Sequence, residues 1–186
     1  MTTTAARAIS PDAFLRLPEQ KPALELNPDG TISAKMSPNT DHAALQMHIG
    51  RLLLNHLDAV RQPGYVYSEL RTNLAGASRL PDVALYRQRP RTSTRKHALV
   101  AADLSIEILS PRDDVDEQRA KCRWYLEQGG QFALLVDPAT PRRCVELFGP
   151  DAAHGQFYDA TRLPLEQLLP GLNLTPDAIF AILDTP

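Results

Sequence analysis

Three carboxylates stand in runs that otherwise read as apolar strands: Glu25 in ALEL, Asp82 at the head of DVALY and Glu107 in SIEIL. An ionised carboxylate in a covered strand is costly unless it is paired or holds a metal. Each also has a plain structural reading. Glu25 fits a solvent-facing position of an edge hairpin, and Asp82, just after Pro81, fits a turn cap. Glu107 fits a solvated strand face, because alternation puts Ser105 and Glu107 on one side and Ile106 and Ile108 on the other. Together they suggest a sharper reading. Carboxylates projecting from adjacent strands at one end of a sheet make a site for Mg2+, a hard cation that takes oxygen ligands and keeps several waters. Such an ion polarises a phosphodiester and generates hydroxide near neutral pH.

That chemistry also needs a cation at the attacked phosphate. Lys121 is the candidate, on the helix that follows the Glu107 strand, at the border of a stripe formed by Val115, Cys122, Tyr125 and Leu126. The competing reading is a Glu117–Lys121 pair at four-residue spacing on a solvated face. His42 opens a long helix beside Asp41, where it either lines a cleft or stands on an exposed first turn.

The elements that must position these groups follow from local pattern. Ser10-Pro11 starts a short helix to about Leu17, with serine as N-cap and proline at the first helical position. ALEL, NPDG and TISAKM read as a hairpin turning at Asp29-Gly30. From Asn39 to Gln62, Leu45, Ile49, Leu52, Leu53 and Leu57 recur at three- and four-residue intervals and predict an amphipathic helix, with Gly64 as the stop. YVYSEL and DVALY read as strands joined by the turn-like NLAGASRLP. RQRPRTSTRK has no period and is read as an exposed loop carrying the one dense positive patch. The Glu107 strand leads into a helix over PRDDVDEQRAKCRWYLEQGG with an acidic first turn, ending at Gly129-Gly130. FALLVD, CVELF and LTPDAIFAILD give two strands and a C-terminal helix. This order predicts an α/β (α+β-like) fold: a mixed central sheet flanked by helices, with Asp103 to Asp137 forming a parallel crossover.

With 186 residues and 43% hydrophobic content, the chain can bury one core, and it is read as one domain over 1–186 with 1–10 as a flexible tail. A formal net charge of -2 provides no global attraction to polyanions. Two distant cysteines, Cys122 and Cys144, form no metal-like or disulfide framework. The N-terminal residues contain no signal-like apolar core and no run reaches membrane-span length, so a cytoplasmic protein without membrane association is expected.

RLPDVALY, IEILSPRDD, DEQRAKCRWYLEQGG and FALLVDP, with ALELNPDGTI and SPNTDHAAL before them, resemble in order and spacing the Uma-two family of bacterial restriction endonucleases, a branch of the PD-(D/E)XK nuclease superfamily. The resemblance runs from about Pro11 to Asp184 and implies a restriction-endonuclease-like core. It implies that Asp82 is the PD aspartate, Glu107 the (D/E)XK acid and Lys121 the lysine this branch carries on the next helix. Glu25 matches an additional N-terminal carboxylate and His42 a helix-start histidine. The chain departs from the wider superfamily at Leu109, where a lysine usually stands, and lacks the tyrosine-tryptophan pair near FALLVDP; Gly129-Gly130 replaces a usual glycine-valine.

The expected activity is Mg2+-dependent DNA endonuclease cleavage, with Mn2+ able to substitute. Asp82, Glu107 and the Ile108 carbonyl would be metal ligands, and Glu25 would add a ligand or orient a water. Arg87, Arg89, Arg91, Arg95 and Lys96 would hold the DNA backbone, and a homodimer would supply two centres. The competing expectation is a non-catalytic nuclease-fold module associated with toxin–antitoxin or mobile-element systems.

Overall fold

The computed structural model describes residues 8–35, 38–139, 142–150 and 154–184. Most of the expected N-terminal tail and Met36, the end of the expected second hairpin strand, lie outside these residues.

The chain forms α1 (Pro11–Leu15), β1 (Leu24–Leu26), β2 (Ile32–Ala34), α2 (Thr40–Val60), β3 (Tyr65–Ser68), β4 (Thr72–Leu74), β5 (Ala77–Arg79), β6 (Val83–Tyr86) and β7 (Leu104–Ile108). These are followed by α3 (Val115–Glu127), β8 (Phe132–Asp137), β9 (Cys144–Phe148), β10 (Gly155–Phe157), α4 (Pro176–Phe180) and a 3-10 turn over Ala181–Leu183. Two sheets result. The larger has six strands in the order β10-β9-β8-β7-β6-β3, and the smaller has four in the order β2-β1-β5-β4. The predicted mixed α/β architecture is therefore present, and β7 and β8 pair in parallel with Glu107 opposite Leu135.

Binary patterning explains how the large sheet is covered. Leu104, Ile106 and Ile108 point to one face, where they join Leu45, Ile49, Leu53 and Leu57 of α2 in the main core. The other face of the sheet carries Ala133 and Leu135, packed with Cys122 of α3. Ser105 and Glu107 are buried in β7, so that strand has no solvated face.

Local chemistry sets the ends of the elements. Asn39 caps α2 through Oδ1, which accepts from His42 N at 2.8 Å. The helix stops at Arg61, which takes a left-handed φ of 54°, before Gly64 is reached. The segment expected to be a turn between two strands contains the hairpin β4–β5, whose connection Ala75-Gly76 has positive φ at both residues (45° and 82°). That pair of angles suits a two-residue hairpin turn. In α3 the buried residues are Lys121, Cys122, Trp124 and Tyr125, while Val115, expected in the stripe, is exposed.

Candidate nuclease site

Adjacent strands bring the two principal carboxylates together. β6 and β7 are antiparallel neighbours with Val83 opposite Ile106, so Asp82, one residue before β6, lies next to the C-terminal end of β7. Its Oδ2 accepts the Ile108 backbone N–H at 2.7 Å. This bond fixes Asp82 to the strand that carries Glu107. The hairpin β1–β2 belongs to the small sheet and brings Glu25 over the same end; Glu25 Oε1 accepts the Leu80 N–H.

Lys121 and Tyr125 lie one helical turn apart on α3 and both reach Glu107. The ammonium is 3.0 Å from Oε1 and 3.1 Å from Oε2, and the Tyr125 hydroxyl donates to Oε1 at 2.7 Å. Lys121 is also 2.9 Å from Glu25 Oε1, and it is 4% exposed. The solvated Glu117–Lys121 pair is therefore not formed. Lys121 is instead the buried cation between two carboxylates, and Arg79 approaches Glu25 at 3.8 Å.

Asp82 has a separate group of partners. Its Oδ1 is 2.7 Å from Lys35 Nζ and 3.1 Å from His42 Nε2. His42 is buried, and its Nδ1 lies 3.2 Å from Ser110 Oγ, so it lines the site rather than standing on an exposed turn. Gln46 of α2 donates to the Asp82 carbonyl at 2.9 Å. Glu25, Lys35, His42, Asp82, Glu107, Ile108 and Lys121 all border one cavity of about 580 Å³, together with Arg79 and Arg112.

The electrostatic balance differs among the three acids. Burial is the largest influence on Asp82 and opposes ionisation, but the close approach of His42, Lys35 and the other cations outweighs it and holds the carboxyl well below its usual range. Burial likewise opposes ionisation of Glu25, and Lys121, Lys35 and Arg79 together reverse it, so its pKa is lowered. Glu107 goes the other way. Burial dominates, Lys121 only partly offsets it, and the neighbouring Asp82 and Glu25 charges add to it, pushing Glu107 up to about 7. Burial opposes the charge on Lys121, but Glu107, Glu25 and Asp82 overcome it and keep the ammonium charged.

The donor chemistry suits a hard divalent cation. Asp82 Oδ1 is buried without a hydrogen bond of good geometry, although two cationic side chains approach it. A buried oxygen left in this way carries a penalty that an oxygen-seeking ion would remove. Among the described residues no group of three or more His, Cys, Asp or Glu side chains is arranged as a closed metal centre.

The structure thus brings Glu25, His42, Asp82, Glu107 and Lys121 together, with Ile108 bordering the same cavity. It does not bring the basic loop there. Arg87 follows β6 at the end remote from Asp82 and its backbone N–H is held by Asp103 at 2.8 Å. Arg87, Arg89 and Arg91 border a different depression, and the Arg95 guanidinium donates to the Leu15 carbonyl. The sequence reading missed Lys35 and gave Tyr125 only a packing role. Register contained the signal for Lys35: Ser33 lies opposite Glu25, so alternation puts Lys35 on the Glu25 face of the hairpin.

A mixed sheet carrying an Asp/Glu pair on adjacent strands, with a lysine from the following helix, is the arrangement of a restriction-endonuclease-like fold. The model of the Uma2 family, described as "Putative restriction endonuclease", matches residues 11–177, and the chain belongs to that family. A crystal structure described as "a putative nuclease belonging to DUF820", from Anabaena variabilis, is similar at 26% identity and a TM-score of 0.83, over 94% of this chain and 99% of that one. No protein of curated function matches the chain.

Proposed function

We propose that the protein is a metal-dependent endonuclease that hydrolyses phosphodiester bonds in DNA. The observation that carries this reading is the convergence of Asp82 and Glu107 at one end of β6 and β7, with Lys121 bound to Glu107 inside an open polar cavity. Asp82 and Glu107 would hold Mg2+ or Mn2+, with the Ile108 carbonyl as the third protein ligand. When bound, the ion would polarise the phosphodiester and acidify an attacking water.

The chain's own residues have separable tasks in this reading. Tyr125 fixes the orientation of Glu107 through its 2.7 Å hydrogen bond. The Ile108 N–H holds Asp82 Oδ2, and His42 Nε2 stands 3.1 Å from Oδ1. Lys121 presents a permanent positive charge to the phosphoryl oxygens, the task for which this chain has no lysine two residues beyond Glu107. Glu25 shares that ammonium and is placed to orient a water. Arg79 and Arg112 line the cavity and supply further phosphate contacts.

The loop from Arg87 to Lys96 acts at a distance. Four residues, Val83 to Tyr86, lie between Asp82 and Arg87, so five steps of ~3.3 Å span about 16 Å of extended chain. A homodimer would supply two centres for cutting both strands, and sedimentation equilibrium checks this directly: a monomeric mass would remove it from the proposal.

Digestion of single-stranded, duplex and branched DNA with Mn2+, and again in EDTA, tests the activity. Cleavage of at least one substrate that EDTA abolishes is expected. No cleavage of any substrate, together with no stoichiometric Mn2+ binding, would instead point to a nuclease-fold accessory module.

A further inference from the structure

Lys35 is the one cation in contact with Asp82 that the nuclease reading leaves without a task. Its Nζ lies 2.7 Å from Asp82 Oδ1, donates to the Leu80 carbonyl at 2.6 Å and is 3.8 Å from Glu69 Oε1. Its side chain is 12% exposed, and it follows the last residue of β2, an edge strand of the small sheet. Lys121, by contrast, is held by Glu107 and Glu25, so the two lysines divide the three carboxylates between them.

We propose that Lys35 is a tethered counter-ion that a divalent metal must displace from Asp82, so that it sets the protein's metal affinity. Three facts support this. The oxygen it contacts, Oδ1, has no hydrogen bond of good geometry even though His42 Nε2 also lies 3.1 Å from it, whereas Oδ2 is committed to the Ile108 N–H. The contact lacks hydrogen-bond geometry, so an ammonium in this position neutralises charge without satisfying the oxygen's directional demand. A divalent ion arriving at Oδ1 would meet the ammonium at close range, and like charges a few ångströms apart in a partly desolvated pocket repel strongly. Lys35 has somewhere to go, because Glu69 Oε1 lies 3.8 Å away on an exposed residue. Its flexible four-carbon stem allows the ammonium to exchange Asp82 for Glu69, or for a phosphate in the same cavity, without backbone movement.

This inference rests on Asp82 being a metal ligand, and calorimetric titration without DNA separates the two ideas. Mg2+ and Mn2+ are titrated into the parent, Lys35→Met and Lys35→Arg, with circular dichroism confirming that each variant is folded. Lys35→Met is expected to bind at least about tenfold more tightly than the parent, the effect of removing one close positive charge, while Lys35→Arg stays near the parent. A melting series gives a second readout: in EDTA Lys35→Met melts lower than the parent, because Asp82 loses a counter-ion, and excess Mg2+ raises its melting temperature by more. Equal affinity in parent and Lys35→Met overturns the role of Lys35 and leaves the metal site standing. Binding seen only in Lys35→Met supports it in its strongest form. No binding to any of the three overturns the inference together with the metal-dependent reading.

Discussion

Lys121 and Glu107 are the residues on which structure and chemistry are hardest to separate. Lys121→Met removes the cation from two buried carboxylates, and breaking a buried pair costs roughly 3–5 kcal/mol. The variant is expected to melt well below the parent and, where still folded, to cleave DNA on the order of a hundredfold more slowly. A Lys121→Met protein with parental stability and activity would take Lys121 out of both roles. Glu107 makes a pH-dependent prediction. Its pKa is raised in the fold from 4.5 to about 7, so the native state holds this proton more tightly than the unfolded chain. Its contribution is therefore fully present below pH 4.5 and is lost as pH rises through 7. Asp82 and Glu25 have the opposite sign, but their lowered values place their windows below their ordinary range, outside this interval. His97, lowered by burial, also opposes the trend, and it is common to parent and variant. In EDTA the parent should thus lose stability relative to Glu107→Gln between pH 4.5 and 7, with parallel pH profiles the contrary result.

At the scale of elements, the readable parts of the sequence were those in which a periodic pattern coincided with burial. The leucine stripe of α2 and the aliphatic run of β8 are the sides of the main core, and the expected boundaries are within a few residues of the observed ones. The carboxylates were visible because they interrupted apolar runs. Lys35 was not, since a lysine at the end of a hairpin strand ordinarily faces solvent and only the strand register reveals its direction. The β4–β5 hairpin looks like a turn in the sequence because its strands have three residues each, too short for alternation to show. β10 is equally short, and Val115 was misplaced because it begins α3, before the helix meets the sheet. Gly130 connects an element to the site. A Cβ there would lie 2.8 Å from the Tyr125 carbonyl and 3.0 Å from that of Ala102, both backbone atoms. Gly130→Ala should destabilise by about 1–3 kcal/mol, as overpacking does, and should lower activity further by moving Tyr125 off Glu107. Denaturant unfolding checks the first part, and an unchanged midpoint would show that the helix end yields freely. For the basic loop, replacing Arg87, Arg89 and Arg91 with glutamine should weaken binding of long duplexes about equally for all sequences and flatten the salt dependence. An unchanged salt slope would show that the loop faces away from bound DNA.

Viewed as one molecule, the fold holds two sheets at an acidic centre: the large sheet supplies Asp82 and Glu107, the small one Glu25, and the helices α2 and α3 contribute His42 and Lys121. Five separate segments thus converge on one cavity. Among the described residues no helix is long and apolar enough to cross a membrane. If the acidic centre binds metal in the native state only, saturating Mg2+ must stabilise the whole domain, by about 2.7 kcal/mol at a hundred times the dissociation constant. The central claim is that this centre cuts DNA through its carboxylates, and nicking of a supercoiled plasmid by the parent and Asp82→Asn in Mn2+ measures it most directly. The parent is expected to nick in Mn2+ and not in EDTA, and Asp82→Asn, folded by circular dichroism, to nick on the order of a hundredfold more slowly or not at all, as loss of a ligand to the catalytic ion should cause. Parental nicking by a folded Asp82→Asn protein would contradict it.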